Sequence, residues 1–302
     1  MLAAMRKATS RRVSISIVGP GRMGSALAVN LARVGYETKF LVTRSVAKAG
    51  SNSRKLARRV GAQVAALGER TLDTELVWIT VPDDEIAGVA AKLAAAEEWR
   101  GRTVFHSSGA LTSDLLSALR RKGAKVASVH PGMTFVGRSL PRLEGVPFGV
   151  EGDAEAVRLA NRIIRDLGGI AVPIKKKNKV LYHAFGTFAS PMVIALMATL
   201  EEVGRAAGIK TSDISTMAGP LLGQTLSNYL EHGARAAFSG PLVRGDVATV
   251  RSHLTALKKK PQARESYVSL ARAALKLLPV KNRAAIQREL TEQRRAKRAP
   301  KA

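Results

Sequence analysis

The chain has 302 residues and no cysteine. Disulfides, thiolate nucleophiles and cysteine-ligated metals are thereby excluded, which accords with a reducing, cytoplasmic setting. Histidines number only five and form no cluster with carboxylates at ligand spacing, so no metal site is expected. Acidic residues are scarce, 23 against 49 Lys plus Arg, for a net charge of +26. Each tail of twelve residues carries +4, which leaves +18 on the body. That surplus favours anionic ligands. The basic residues are scattered rather than set in a stripe, and aromatics are only 4%, so no specific nucleic-acid partner is expected. Long hydrophobic runs are also lacking. Met1 to Ser10 has no apolar core of a secretion signal. The longest apolar stretch, Ala184 to Leu200, is interrupted by Thr187, Ser190 and Pro191. It reads as one core or interface helix and not as a membrane span.

What is there begins with an apolar content of 46%, enough for well-packed cores. The organising stretch is Val13 to Val34. Val13, Ile15, Ile17 and Val18 form a β-branched run of the kind that makes a buried parallel strand. Gly19-Pro20-Gly21-Arg22-Met23-Gly24 follows and fits G-x-G-x-x-G, then apolar residues recur at helical spacing until Gly35. Gly19 permits the tight turn, Gly21 leaves room for a pyrophosphate, and Gly24 lets helix and strand pack closely. The helix N-terminus offers free N–H groups to phosphates. This context makes the motif a dinucleotide-binding fingerprint.

Glu37 to Val42 reads as the second strand and ends in Thr43-Arg44-Ser45. In an NAD site an acidic residue about 20 positions past the glycines grips the ribose 2′-hydroxyl. Arg44 stands there instead, which suits a 2′-phosphate and favours NADP over NAD. Leu76 to Val81 is a third strong strand, and Pro82-Asp83-Asp84 ends it and caps a helix. Thr80, Val81, Pro82 and Asp83 are therefore expected to border the cofactor. Arg102 to His106 and Val126 to Val129 are further strands, and two of these sheet ends carry a histidine, His106 and His130, on the ligand side. A helix is expected from about Thr112 to Lys122. Phe148 to Val150, a helix over 154–167 and Ile170 to Ile174 make another βαβ unit.

Beyond Lys175 strand-like runs disappear and helical periodicity dominates. The expected organisation is a basic arm over 1–12, a doubly wound, mostly parallel α/β domain of Rossmann type over 13–175, an all-α domain over 176–290, and a basic tail over 291–302.

Five segments carry a family resemblance: GPGRMG, FHSSGALTSDLL, SVHPGMTF, YHAFGTFAS and SGPLVRGDVATVRSHL. In this order they resemble bacterial Rossmann-like proteins with a helical C-terminal domain of unknown function, of the F420-dependent NADP oxidoreductase type. The layout is similar to that of the 6-phosphogluconate dehydrogenase-like, ketopantoate reductase and pyrroline-5-carboxylate reductase proteins. The resemblance implies a Rossmann domain followed by a helical domain that forms a homodimer, and it implies no substrate; the expected function is NADP(H)-dependent reduction of a small carbonyl or imine compound bearing a carboxylate. Coenzyme F420 is a further candidate cofactor, and a non-catalytic NADP(H) sensor is the alternative from another class. Where this family reads Ala-Ser-Asn, the chain has Ala189-Ser190-Pro191, and Pro191 would remove a helical hydrogen bond.

Hydride transfer is the cofactor's chemistry, and the protein must supply a proton donor with a pKa near the operating pH. His183 is a candidate, with Lys179 at i,i+4 on the same helix face. The resemblance to β-hydroxyacid dehydrogenases, where a Lys and an Asn are spaced alike, points to Lys179 as well. The hydroxyl of Ser107 is a third catalytic candidate. Ser108, His130, Arg244 and Asp246 are candidate substrate contacts. Arg244 suits a bidentate hold on a carboxylate, and Asp246 either steadies Arg244 or caps the helix that follows it.

Overall fold

The computed structural model describes residues 12–45, 50–96, 98–137 and 139–295, with side chains to residue 291. The expected basic arm lies outside the described residues except for Arg12, and the expected tail does so beyond residue 295. Two compact units divide between Phe188 and Ala189.

The first unit is built on one sheet of eight strands. They are β1 (Ile15–Val18), β2 (Thr38–Thr43), β3 (Gln63–Ala66), β4 (Leu76–Ile79), β5 (Thr103–His106), β6 (Lys125–Pro131), β7 (Pro147–Gly152) and β8 (Ile170–Pro173). Their order is β3-β2-β1-β4-β5-β6-β7-β8, and every pair is parallel except the antiparallel β6–β7. The order reverses direction at β1 and β4, which places a ligand crevice at the carboxyl ends of those strands. Alternation along the strands separates two cores. Ile15, Ile17, Leu41, Trp78 and Phe105 pack with Leu27 and Leu31 of α1 (Arg22–Arg33) and with Ile163 of α5 (Ala154–Asp166). Val18, Val42, Val77 and Val104 face the other way, onto Ile86, Val89 and Leu93 of α3 (Asp83–Ala96). A doubly wound α/β unit is what the β-branched strand runs and the intervening helical periods dictate.

Local differences from the sequence expectation have physical causes. Thr112 accepts the N–H of Asp114, which tightens residues 113–116 into a 3-10 turn before α4 (Ser117–Arg121). The helix α6 (Lys179–Ala189) stays with the sheet rather than with the helical unit expected from residue 176, because its first residue is buried against β5 and β6. The single helix expected over Ala184 to Leu200 is two. Ser190 has φ −131° and ψ −81°, and α7 (Pro191–Ala206) starts at Pro191. Proline at the first helical position has no hydrogen bond to lose, so Pro191 begins a helix instead of kinking one. An 18-residue window within Lys176 to Ala206 has mean hydropathy 1.5, which by length and composition alone matches a membrane-crossing helix.

The second unit continues with α8 (Thr211–Ala237), which bends at Gly233, then α9 (Pro241–Arg244), α10 (Val247–Ala256), α11 (Pro261–Leu277) and α12 (Arg283–Arg295). Its core joins Val250 and Leu254 to Ala271, Leu275, Ile286 and Leu290.

A Cβ at Gly24 would lie 2.5 Å from both the Gly19 carbonyl oxygen and Thr80 Oγ1, whereas one at Gly21 would meet nothing closer than 4.0 Å. Gly24→Ala therefore overpacks the turn by about 1–3 kcal/mol, against a gain in helix propensity of about 1 kcal/mol. Thermal unfolding without ligand should show a lower midpoint for Gly24→Ala and little change for Gly21→Ala. Equal midpoints for the two variants would contradict this packing.

Candidate active site

The fingerprint turn is held from beneath. Gly19 adopts φ +89°, and a Cβ there would strike Val81 Cγ1 at 2.7 Å. Thr80 Oγ1 donates to the Gly19 carbonyl at 2.7 Å, and Ser25 Oγ donates to the Pro20 carbonyl at 3.1 Å. Met23 packs against the core, while Arg22 is exposed at the start of α1. Beside Gly21 lies a slot of about 170 Å³ walled by Val18, Val42, Leu67, Val81 and Val89, with Thr43, Thr80 and Pro82 at its margins. Its apolar walls suit a flat adenine ring. Arg44 stands at the rim with its side chain 83% exposed, and its guanidinium is paired with Glu85. Thr43 Oγ1 donates to the Ser45 carbonyl at 3.1 Å and closes the end of β2.

At the ends of β5 and β6 sits an ammonium group inside the protein. Lys179, the first residue of α6, is 1% exposed. Its Nζ donates to the Ser108 carbonyl at 2.9 Å and to Ser128 Oγ at 2.8 Å. Burial pushes its pKa from the ordinary 10.5 down to about 8, against the opposing pull of Glu151 and Asp83. A lysine in that range holds a transferable proton near neutral pH.

Tyr182 and the two histidines adjoin this group. Tyr182 Oη and His130 Nδ1 are 3.0 Å apart, and the Gly149 backbone also bonds the phenol. Burial, with Lys179 and His183 adding to it, lowers the His130 pKa to about 4. Two glycines make the approach feasible. A Cβ at Gly149 would lie 2.6 Å from the Tyr182 ring, and one at Gly109 would lie 2.5 Å from His183 Nδ1 and 2.9 Å from His130 Nε2. The His130 and His183 rings meet edge to face at 6.2 Å, and His183 is otherwise exposed. The structure thus gathers Lys179, Ser108, His130 and His183 around the Ser108–Gly109 turn.

Other expected residues have structural tasks. Ser107 Oγ accepts from the buried indole of Trp78 at 2.8 Å. His106, fully buried, accepts the Ser108 N–H through Nδ1 and donates from Nε2 to the Thr112 carbonyl. Burial lowers its pKa to about 4. Ser108 Oγ donates to Asp83 Oδ2 at 2.7 Å and so links the β5 end to the start of α3. In the second unit Asp246 caps α10, accepting the Thr249 N–H at 3.0 Å and the Thr249 hydroxyl at 2.7 Å. Arg244, the exposed last residue of α9, lies electrostatically close to Asp246. Among the described residues no three His, Cys, Asp or Glu side chains converge as metal ligands. Tyr182 escaped the sequence reading. Its signal was the i,i+3 spacing from Lys179, one turn along the same helix face.

The depressed Lys179 pKa fixes a pH signature for stability. Below about pH 8 the lysine is charged in both folded and unfolded chains and its full burial cost stands. Between about 8 and 10.5 the folded chain sheds the proton that the unfolded chain still binds, so stability rises with pH. The two pKa values correspond to about 3 kcal/mol. Chemical denaturation of wild type and Lys179→Met should diverge by that amount in wild type's favour across the window. Parallel pH curves would contradict a buried charged lysine.

Residues 3–131 match the family described as a Rossmann-like domain, and residues 146–274 match DUF2520, a domain of unknown function. None of the curated proteins compared with the chain matches it. Among solved structures, a proposed NADP oxidoreductase from Bacteroides fragilis is similar with TM-score 0.70 at 20% identity, over 87% of this chain and 97% of that one. An imine reductase from Myxococcus stipitatus in complex with NADP+ gives 0.64 at 17% identity, over 92% and 99% of the two chains. A pyrroline-5-carboxylate reductase from Coxiella burnetii gives 0.58 at 16% identity, over 87% and 98%. At these identities the likeness is one of fold. The eight-stranded sheet and the two matched regions together make this chain a Rossmann-like domain joined to a DUF2520 domain.

Proposed function

We propose that the protein is an NADP(H)-dependent oxidoreductase that reduces a small carbonyl or imine compound bearing a carboxylate. The observation that carries this is the buried Lys179 ammonium, fixed by two acceptors beside a dinucleotide fingerprint on the same sheet edge. The fingerprint fits the cofactor, since the space at Gly21 is open on the side where the pyrophosphate must approach. When bound, NADPH supplies the hydride. Lys179 holds the proton that the reduced oxygen or nitrogen requires, and its pKa of about 8 keeps that proton both present and transferable at neutral pH. Ser128 and the Ser108 carbonyl orient the ammonium, and Tyr182 holds the His130 ring through Nδ1. His130 and His183 present polar groups to the substrate. An imine reductase holding NADP+ and a pyrroline-5-carboxylate reductase among the fold neighbours support this cofactor and substrate class.

A second copy of the chain is the proposed partner. Within the second unit Met192, Ile194, Leu221 and Leu230 are exposed apolar side chains of the kind that self-association covers. Light scattering should give twice the mass of one chain, and Leu221→Arg should halve it. A monomeric wild type would rule the partner out.

Turnover and binding separate cleanly. NADPH at about 100 times its Kd should raise stability by about 2.7 kcal/mol. A panel of keto acids and cyclic imines, followed by NADPH absorbance, should then reveal a substrate whose reduction slows as pH rises through about 8, as Lys179 loses its proton. Lys179→Met should lower kcat by about 10²-fold or more while keeping the NADPH-induced stabilisation. Stabilisation without turnover across the panel would favour a dinucleotide sensor instead.

A further inference from the structure

Among the described residues Lys179 is the only buried lysine or arginine, and Glu151 of β7 is the only buried carboxylate of the first unit. Antiparallel register sets Glu151 directly opposite Ser128 of β6, with both side chains on one face of the sheet. Ser128 is also the residue whose Oγ accepts from Lys179 Nζ at 2.8 Å. The buried anion and the buried cation thus share one serine as a neighbour. Both oxygens of Glu151 are acceptors. Oε1 takes the Ser113 N–H at 2.6 Å and Oε2 takes the Ser113 hydroxyl at 2.9 Å. Two neutral donors leave the charge itself uncompensated, and a buried carboxylate in that state costs stability unless a cation lies near. Ser113 also closes the turn whose other end gives the Ser108 carbonyl to Lys179. That turn is pinned by Ser108 Oγ on Asp83, by the Thr112 carbonyl on His106, and by Ser113 on Glu151. Glu151 therefore holds the far end of the loop that supplies one Lys179 acceptor and stands beside the residue that supplies the other.

We propose that Glu151 is a positioning residue for the Lys179 proton donor: it fixes the 108–113 turn through Ser113 and supplies the counter-charge that keeps the ammonium protonated. The proposal deepens the reductase reading and rests on Lys179 as its proton donor. An amide oxygen would accept the Ser113 N–H equally well, so the anchor alone does not call for a charge. A carboxylate adds what an amide cannot, opposition to the burial that draws the proton off the lysine. Burial lowers the Lys179 pKa to about 8, while Glu151, followed by Asp83, acts in the other direction. The other titratable groups of the cluster are His106 on β5, His130 on β6, and Tyr182 and His183 on α6. Burial holds His106 and His130 near a pKa of about 4, so neither carries charge at neutral pH. Lys176, just before α6, is paired with Asp114. Asp83 receives the Ser108 hydroxyl at the start of α3, which leaves Glu151 as the carboxylate on the sheet itself.

The test is chemical denaturation of the full chain as a function of pH, for wild type, Glu151→Gln, Lys179→Met and the double variant. Glu155→Gln removes an equal charge from the exposed side of α5 and is the control. Wild-type stability begins to rise at about pH 8, where folded Lys179 sheds its proton. Without the Glu151 charge the proton leaves earlier, so in Glu151→Gln the rise should begin lower by about half a pH unit or more. Glu155→Gln should leave it in place. At neutral pH the double variant should lose less stability than the two single losses together. Once a substrate is in hand, the alkaline fall in kcat should move down in Glu151→Gln by the same interval. A rise that begins at the wild-type pH, with additive losses, overturns the proposal and reduces Glu151 to a tie for Ser113, while the reductase reading stands. Should Glu151→Gln fail to fold, the double variant decides. Recovery of the fold once Lys179 is also neutral supports the charge pair, and failure of both variants overturns it. A shifted rise with no reduction of any substrate by wild type supports the pair and sinks the reductase reading.

Discussion

One buried ammonium organises the functional end of the sheet. Lys179 Nζ gives hydrogen bonds to a loop carbonyl after β5 and to a hydroxyl on β6, and so ties the first turn of α6 to two strands at once. A charge in that position costs stability, because only two acceptors replace its hydration. Glu151 and Asp83 offset part of that cost from a distance. The lysine also opens a helix, where the positive end of the helix dipole opposes a cation and pushes its pKa in the same direction as burial. A purely structural position would more readily hold an apolar side chain. Retaining a destabilising charge at the crevice end of a Rossmann-type sheet is what proton chemistry requires.

The neighbouring groups depend on that anchor and on the absence of side chains around it. With α6 fixed at Lys179, Tyr182 falls one turn on and rests where Gly149 leaves space, and its phenol hydrogen-bonds with His130 Nδ1. His183 then meets His130 across Gly109. A methyl at either glycine would displace a ring. The fingerprint shows the opposite use of glycine. Gly19 and Gly24 are packed tight against β4 and the turn itself, while Gly21 faces open space. The sheet therefore presents one crowded cluster around Lys179 and one open turn at Gly21.

Much of this was legible from residues alone. The β-branched runs at Ile15–Val18 and Leu76–Ile79 announce buried parallel strands, and the glycines between the first run and α1 announce the turn. The Lys179–His183 spacing placed both residues on one helix face before any coordinate. What remained hidden depends on partners far apart in sequence. Ser107 looked like a loop hydroxyl facing ligand, but the indole of Trp78 on the adjacent strand claims it. Arg44 looked like a free cation, yet Glu85 at the start of α3 neutralises it. Tyr182 opens the segment YHAFGTFAS, but its role depends on Gly149 of β7, far away in sequence. The division at Ser190 was obscured because apolar periodicity runs through it, while Pro191, read as a disruption, is a good helix start.

The most direct measurement is a crystal structure of the chain with NADP+. Proton delivery by Lys179 requires the nicotinamide ring to lie over the Ser108–Gly109 turn, with its C4 facing a space that Lys179 Nζ and His130 Nε2 border. A nicotinamide ordered elsewhere, or one separated from Lys179 by packed protein, would contradict the assignment of this cluster as the site of reduction.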